Sequence, residues 1–473
     1  MGSGLSGKQL AIALAATLLG MTLQLTQGQY SPFGVLVMAI GIAIGMGGSF
    51  LDASISIKSS KLFLLALLLG QLFVTVFAPA DDSLLGRGGA NLMAHLIAFA
   101  ALVPAVGFIA RANPAWAKHG FIAALFIFAA LGVWTIYSVP KPFIDVYPMH
   151  TEAADALMRL ENPYAITVAD MYGPGVHYYP PGTVIDGRVQ YGFPYMPLAL
   201  VYSTPSYLLW GDPRIAYLLA MIATAGLIAV ARPDPIGMLL GLLLLFTPVS
   251  QYILQMCWIE PLCAMLLAAT LVSAIRYPKY LPIVLGLLLA SKQYMPAALG
   301  LVPLLDRRDK WQIAIKATLT AAIVSLPLAL WNPSAFINST IIYQLKAPYR
   351  PDSLSFVAWW GYGKAGWTVP FWLSFVALAG TFGWCWKRMP RGHHSFAAGF
   401  AFCFFIFITL SKQTFINYHY LIVAAAFLAA ATENCIPKAA AADNTLSDHA
   451  PPSRPHLRSP GDAATGPRPA RAA

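Results

Sequence analysis

The sequence predicts an all-α polytopic membrane protein with about 14 transmembrane helices and a long extracytoplasmic loop that carries juxtamembrane helices. Three observations predict it. Hydrophobic residues make up 58% of the 473 and charged residues only 10%, whereas a soluble domain carries about a quarter of its residues charged. The apolar runs are roughly 12 to 20 residues long and end at Pro, Gly, Arg or Lys, which suits helices and not the shorter, alternating strands of a barrel. The net charge of +11 sits mainly in short loops between apolar runs and in the C-terminal tail. That is the positive-inside pattern, and it excludes a nucleic-acid-binding reading of the charge.

Lys8 and the run 9–27 have the make-up of a signal peptide, but further apolar runs follow at once, so an uncleaved first helix is expected. Spans are expected at 9–27, 32–50, 62–79, 91–110 and 120–139. With the N-terminus cytoplasmic, Lys58, Lys61, Arg111 and Lys118 fall inside, and Asp81 and Asp82 with the single Arg87 fall outside. The stretch 140–213 then lies on the outer face. Within it, 195–210 is apolar enough to cross, but crossing would place the basic runs 306–310 (DRRDK) and 387–394 (KRMPRGHH) outside. Pro197 and Pro205 also interrupt it, so it is read as a juxtamembrane helix.

Further spans are expected at 214–231, 236–250, 258–275, 280–291, 293–305, 312–331, 370–386, 396–411 and 418–432, with Arg232, Arg276 and Lys279 inside and both termini cytoplasmic. Ser291-Lys292-Gln293 forms the polar apex of a helical hairpin, and 332–369 is a second outer loop. Residues 438–473 lack periodicity and are read as a disordered cytoplasmic tail. The chain thus divides into a four-helix N-terminal extension (1–118), a membrane core (119–437) and the tail. The five cysteines include no CxxC pair and are read as packing residues.

This topology gathers polar residues at the outer boundary. Asp145 follows a span by a few residues, and an acid there can act as general base for a hydroxyl nucleophile or simply complement a helix dipole. His150 and Glu152 lie on the helix it begins. Glu260 in WIEPL, Lys292 and Gln293 at the hairpin apex, Arg350 in KAPYRPD and His419 in NYHY join them, together with an aromatic rim of Tyr164, Tyr178, Tyr179, Tyr195 and Trp359. Ionisable groups near or within spans are costly to bury and are functional candidates by default. Two carboxylates, several cations and aromatic rings on one face suit a phosphate-bearing lipid and a hydroxylated acceptor, with a guanidinium fork as a phosphate clamp.

The order Asp145, ENPY (161–164), YYPPG (178–182), YGFPYMPL (191–198) and a juxtamembrane helix resembles the GT-C class of membrane glycosyltransferases. It is similar in particular to the bacterial polyprenol-phosphate-mannose-dependent mannosyltransferases, whose loop runs Asp, Asn-Pro-Tyr, Tyr-Pro-Pro-Leu. TPVSQYILQMCWIEPL (247–262) and SKQYMPAALGLVPLL (291–305) look like later segments of that family, and the resemblance covers roughly 120–432. The chain departs from the pattern in its four leading helices, in YMPL at 195–198 and in WIEPL where a Gly-Gln-Asn-like element is usual.

The resemblance implies inverting transfer of a sugar, mannose in that family, from a polyprenyl phosphate to a lipid-linked or glycan acceptor at the outer face of the cell membrane. Residue by residue the resemblance carries over only to Asp145, as the base; the gathered polar residues add the rest, with Glu152 or Glu260 orienting Asp145. Lys292, Arg350 and His419 would neutralise the departing phosphate, and His150, Tyr164, Tyr178, Tyr179, Tyr195, Gln293 and Trp359 would line the substrates. No cofactor is implied; a metal-assisted variant on Asp145 and Glu260 stays open. The expected partners are the lipid-linked sugar, the acceptor and membrane lipids, without nucleic acid. The rivals are a transporter or lipid flippase, and a partner-binding subunit whose site has decayed.

Overall fold

The protein, seen in a computed structural model that describes residues 4–48, 53–78, 89–111, 113–173, 178–364, 367 and 369–433, is mostly helical. Small polar residues set where its apolar helices begin. Helix α1 (Gly7–Thr26) starts at a capping box in which Ser6 accepts from the Gln9 amide and the Gln9 side chain accepts from the Ser6 amide. Ser31 and Ser56 cap α2 (Pro32–Gly47) and α3 (Ile57–Phe77); after α4 (Gly89–Ala110), Asn113 caps α5 (Pro114–Ser138). Each cap oxygen satisfies an amide that helix geometry leaves without a partner.

Between α5 and the next apolar helix the chain forms α6 (Val146–Met158), a small antiparallel sheet and α7 (Pro197–Trp210). The sheet joins β1 (Val168–Ala169), β2 (Val184–Ile185) and β3 (Arg188–Val189) in the order β1–β3–β2. It corrects the purely helical expectation for this loop. Asp186-Gly187 turns β2 into β3 with both residues at positive φ, the conformation that a two-residue hairpin favours.

The chain continues through α8 (Arg214–Ala231), α9 (Pro235–Leu245), the short α10 (Ser250–Gln255), α11 (Glu260–Arg276) and α12 (Leu281–Leu289). Residues Met295–Leu304, expected as a helical span, form a 3-10 helix instead. Pro303, inside it, lacks the amide donor that an α-helix would use there. Then follow α13 (Lys310–Trp331), α14 (Pro333–Ile337), a π-helical turn at Asn338–Ile342, α15 (Tyr343–Lys346), α16 (Phe356–Gly361), α17 (Trp372–Arg388), α18 (His393–Thr409) and α19 (Ile416–Thr432).

Among the described residues six helices are long and apolar enough to cross a membrane: α1, α3, α4, α5, α8 and α13; six more apolar helices are shorter. Their outer faces carry large apolar side chains in rows. Leu62, Leu69 and Phe73 on α3 are 62–68% exposed, and Ile323 and Leu330 on α13 are 73% and 66% exposed. A face of this kind on a soluble monomer would be an aggregation liability; against lipid it is the expected surface of an all-α membrane protein. The acidic loop with Asp81, Asp82 and Arg87, Cys435 and the tail 438–473 lie outside the described residues.

The interior is built from α9, α11 and α19, which are buried almost all round. The alanines of α19 leave room for neighbours to approach closely, as small residues do between membrane helices. Helix α1 runs antiparallel along it: Gln9 donates to the Ala430 carbonyl at 2.8 Å, and the Ser6 hydroxyl donates to Glu433. The first helices therefore pack within the same unit, Met1–Cys435, as those that follow.

A candidate active site around Asp145

The place of Asp145 is fixed first by where α5 stops. Arg214, at the start of α8, is fully buried and pairs with Asp212 at 2.6 Å. Its remaining donors reach the carbonyls of Ile136 at 3.1 Å and Val139 at 2.8 Å, at the end of α5, and of Gln255 at 3.3 Å. The Tyr147 ring lies 5.1 Å from the guanidinium. A cation on the free carbonyls of a helix C-terminus complements the helix dipole, and the segment leading to Asp145 departs from that anchored point.

Asp145 is the N-cap residue of α6, yet its side chain makes no capping hydrogen bond. The hydroxyls of Tyr172 and Tyr179 face the carboxyl instead. That of Tyr172 also accepts from the Asp145 amide at 3.3 Å, and that of Tyr179 is buried without a hydrogen-bond partner among the described residues. Burial raises the Asp145 pKa from 3.8 to about 6, with the Tyr172 and Tyr179 hydroxyls pulling the other way. Burial and the nearby carboxylate in turn raise both tyrosines, so they stay protonated donors. Tyr195 and Tyr343 also stand within the electrostatic reach of Asp145, and Tyr195 within that of Glu260.

The sequence motifs of the loop are its scaffold. In ENPY, the Asn162 side chain accepts from the Tyr164 amide at 2.9 Å, and the Tyr164 hydroxyl donates to the Tyr195 carbonyl at 3.0 Å. The Phe193 amide donates to the Pro163 carbonyl at 2.9 Å, which zips ENPY to YGFPY. Gly192 permits this: a Cβ there would stand 2.5 Å from the Pro163 carbonyl oxygen. The Ser339 hydroxyl then donates to the Tyr164 carbonyl at 3.0 Å and accepts from the Gly192 amide at 3.2 Å, docking both motifs on the π-helical turn. Gln293 donates to the carbonyls of Pro194 and Thr340.

Several expected substrate contacts are thus internal ties. Tyr164 is buried with its hydroxyl engaged, and Gln293 holds backbone. His150 is buried between α6 and α8, its Nδ1 against the Val146 carbonyl at 2.9 Å and its Nε2 against the Tyr217 hydroxyl at 2.7 Å. Nδ1 must therefore carry the proton, and burial lowers the His150 pKa to about 4. Glu152 pairs with Arg188 of β3 at 3.2 Å and so ties α6 to the sheet rather than to Asp145. Tyr178 and Tyr179 do sit at the site, whereas Trp359 projects from α16 at 55% exposure.

The cations divide into two groups. Arg350 makes a two-point pair with Asp352 at 2.9 and 2.6 Å, and its guanidinium lies 3.9 Å over the Tyr178 ring and 5.0 Å from Phe415. Tyr178 packs on Tyr172 at 5.0 Å, which brings Arg350 to the rim of the Asp145 cluster. Lys292 is buried and paired with Glu260, with the rings of Tyr418, Tyr294 and Tyr195 at 4.5, 5.2 and 5.5 Å. Asn417 and Tyr294 donate to the same Glu260 oxygen at 2.7 and 3.3 Å, while Glu260 Oε2 and Asn417 Oδ1 are buried without a partner. His419 is placed differently from the expectation: it is fully buried and its Nε2 is spent on the Leu354 carbonyl at 3.1 Å, so that donor does not face a phosphate.

Sequence reasoning missed Tyr172, Tyr343 and the Asp212–Arg214 clamp. An arginine at the supposed outer end of an apolar helix, against the charge bias, was the available signal for Arg214; the two tyrosines carry none that separates them from interfacial anchors. Comparison with protein-family models, with curated proteins and with solved structures returns no match.

Proposed function

We propose that the protein is a GT-C-like glycosyltransferase that moves a sugar, mannose by the family resemblance, from a polyprenyl phosphate to a lipid-linked or glycan acceptor. About fourteen helices would span the membrane, with both termini cytoplasmic and the loops 140–213 and 332–369 outside. The observation that carries the proposal is Asp145: a carboxyl raised to about 6, at the end of an apolar helix, ringed by tyrosine hydroxyls with a guanidinium at the rim. A carboxylate of that pKa is ionised at neutral pH and basic enough to take a proton from an attacking hydroxyl.

In this mechanism the acceptor oxygen attacks the anomeric carbon from the face opposite the phosphate, its proton passes to Asp145, and the carbon–oxygen bond to the phosphate breaks with inversion. The electron pair leaves on the polyprenyl monophosphate. Arg350 is the cation best placed to meet that charge. Lys292 contributes through Tyr195 as part of a pair with Glu260, whose role is to hold the lysine. Tyr172 and Tyr179 keep the carboxylate turned toward the acceptor.

The buried Lys292–Glu260–Asn417 set favours one second reading, a transporter, because such groups deep among membrane helices also line substrate paths. One experiment separates the two. Membranes holding the wild type or Asp145→Asn at matched levels are given radiolabelled polyprenyl-phosphate mannose, and covalent products are resolved. A product made by the wild type alone supports the transferase; label that crosses the membrane without entering a product, in both proteins, supports transport.

A further inference from the structure

The turn between α1 and α2 is built against the loop that carries Arg350. Gln27 and Gly28 both adopt positive φ, 54° and 66°, and turn the chain so that Gln29 pairs with Ser353 in an antiparallel bridge. The Tyr30 amide donates to the Asp352 carbonyl at 2.8 Å, and the Leu354 amide donates to the Gly28 carbonyl at 3.2 Å. Tyr30 also stacks on Tyr362, just past α16, at 4.9 Å. Gly28 is required twice over: its φ is left-handed, and a Cβ would fall 2.1 Å from Ile416. Asp352, bridged in this way, is the residue that holds the Arg350 guanidinium at two points. From Arg350 the contacts continue through Tyr178 and Tyr172 to Asp145.

From this chain of contacts we infer that the α1–α2 turn is a positioning element for Arg350, with Gly28 and Tyr30 as its positioning residues. The leading helices thus contribute a strand-like strap that fixes the loop 350–354 over the mouth of the site. The helix that leads into the strap is fastened at its opposite end, where Gln9 and Ser6 bind the end of α19. The consequence for substrate handling rests on the transferase reading above: the strap holds Arg350 where it meets the donor phosphate and the charge that develops on it, and leaves the ionisation of Asp145 alone.

The test uses the full chain in native membranes, with Tyr30→Ala, Tyr30→Phe, Gly28→Ala and Arg350→Ala. The first arm does not depend on activity: phenylglyoxal modifies accessible guanidinium groups, and mass spectrometry follows its rate at Arg350. Tyr30→Ala removes one aromatic stack and should raise that rate about 3- to 10-fold; Tyr30→Phe, which keeps the ring, should match the wild type. Gly28→Ala should exceed both, and Tyr30→Ala keeps the test informative if Gly28→Ala fails to fold. An Arg350 rate in Tyr30→Ala equal to the wild-type rate overturns the inference.

The second arm measures transfer. Tyr30→Ala should lower kcat/KM for the polyprenyl-phosphate donor by a similar factor, with kcat falling because Arg350 meets charge that develops in the transition state. It should leave the acid limb of the pH profile in place and should have no effect in the Arg350→Ala background. Additive effects of the two substitutions would overturn the coupling through Arg350. If neither the wild type nor any variant transfers while the modification rates change as stated, the strap stands and the transferase reading falls.

Discussion

Asp145→Asn should abolish transfer and at the same time stabilise the protein. The wild-type carboxyl is desolvated, and the difference between about 6 and 3.8, at about 1.4 kcal/mol per factor of ten, corresponds to about 3 kcal/mol of disfavoured charge at neutral pH. Asparagine is nearly the same size, keeps a side-chain oxygen facing the Tyr172 and Tyr179 hydroxyls, and carries no charge to desolvate. The sign follows from linkage. The folded pKa lies above the unfolded one, so the contribution of the protonated acid to stability is complete below pH 3.8 and is lost as the pH rises through 6. Thermal midpoints of the purified protein in detergent should therefore rise for the wild type between pH 7.5 and pH 5, whereas Asp145→Asn should start higher at pH 7.5 and change little through Asp145's range. The reasoning is refuted if Asp145→Asn is no more stable than the wild type at pH 7.5, or if both respond to pH identically. It matters for catalysis because a substitution that removes activity while raising stability marks a residue kept in an unfavourable setting for chemistry.

Other predictions follow from the same geometry. The pH profile of kcat/KM should show a limb that falls below pH about 6, the value to which burial raises Asp145, because a protonated carboxyl cannot accept the acceptor's proton; a profile flat from pH 5 to 8 would remove it as the base. Arg214→Met leaves Asp212 and the end of α5 without their cation and should cost about 3–5 kcal/mol, while Asp212→Leu added to it should recover much of that loss, both read as thermal midpoints. Gly192→Ala drives a Cβ to 2.5 Å from the Pro163 carbonyl oxygen. It should lower both stability and transfer by separating ENPY from YGFPY, and a Gly192→Ala protein with wild-type activity would show that the zipped motifs do not position the site.

Helix placement was legible in the sequence because apolar run length is a strong signal in a membrane protein, and the expected spans fall largely on α-helices among the described residues, the 3-10 helix at Met295–Leu304 being the exception. The spanning number was not, since several of those helices are short and sequence does not say which cross. The small sheet was readable and overlooked: Val-Ile-Asp-Gly-Arg-Val is a hairpin signal, hidden by the helical character of everything around it. At the site, Asp145, Tyr178, Tyr179 and Arg350 could be named because each stands next to a motif or a span end. Their company could not, because Tyr172 and Tyr343 reach Asp145 by tertiary folding alone. Four of the other expected site residues share one physical feature. His150, Tyr164, Gln293 and His419 each spend a hydrogen bond inside the fold, and a sequence cannot distinguish a polar group that offers its donors to a ligand from one that spends them on its neighbours.

The arginine clamp at the end of α5 has a consequence for how the protein meets bilayers of different thickness. A helix whose C-terminal carbonyls are held by a buried guanidinium cannot slide or tilt independently of α8, whereas α13, with only Ile313 and Ala317 buried, is packed closely on α12 at Gly286 and otherwise faces outward. Hydrophobic mismatch should therefore be absorbed at the periphery, by deformation of the lipid around α13, and the depth of Asp145 relative to its neighbours should stay constant from thin to thick membranes.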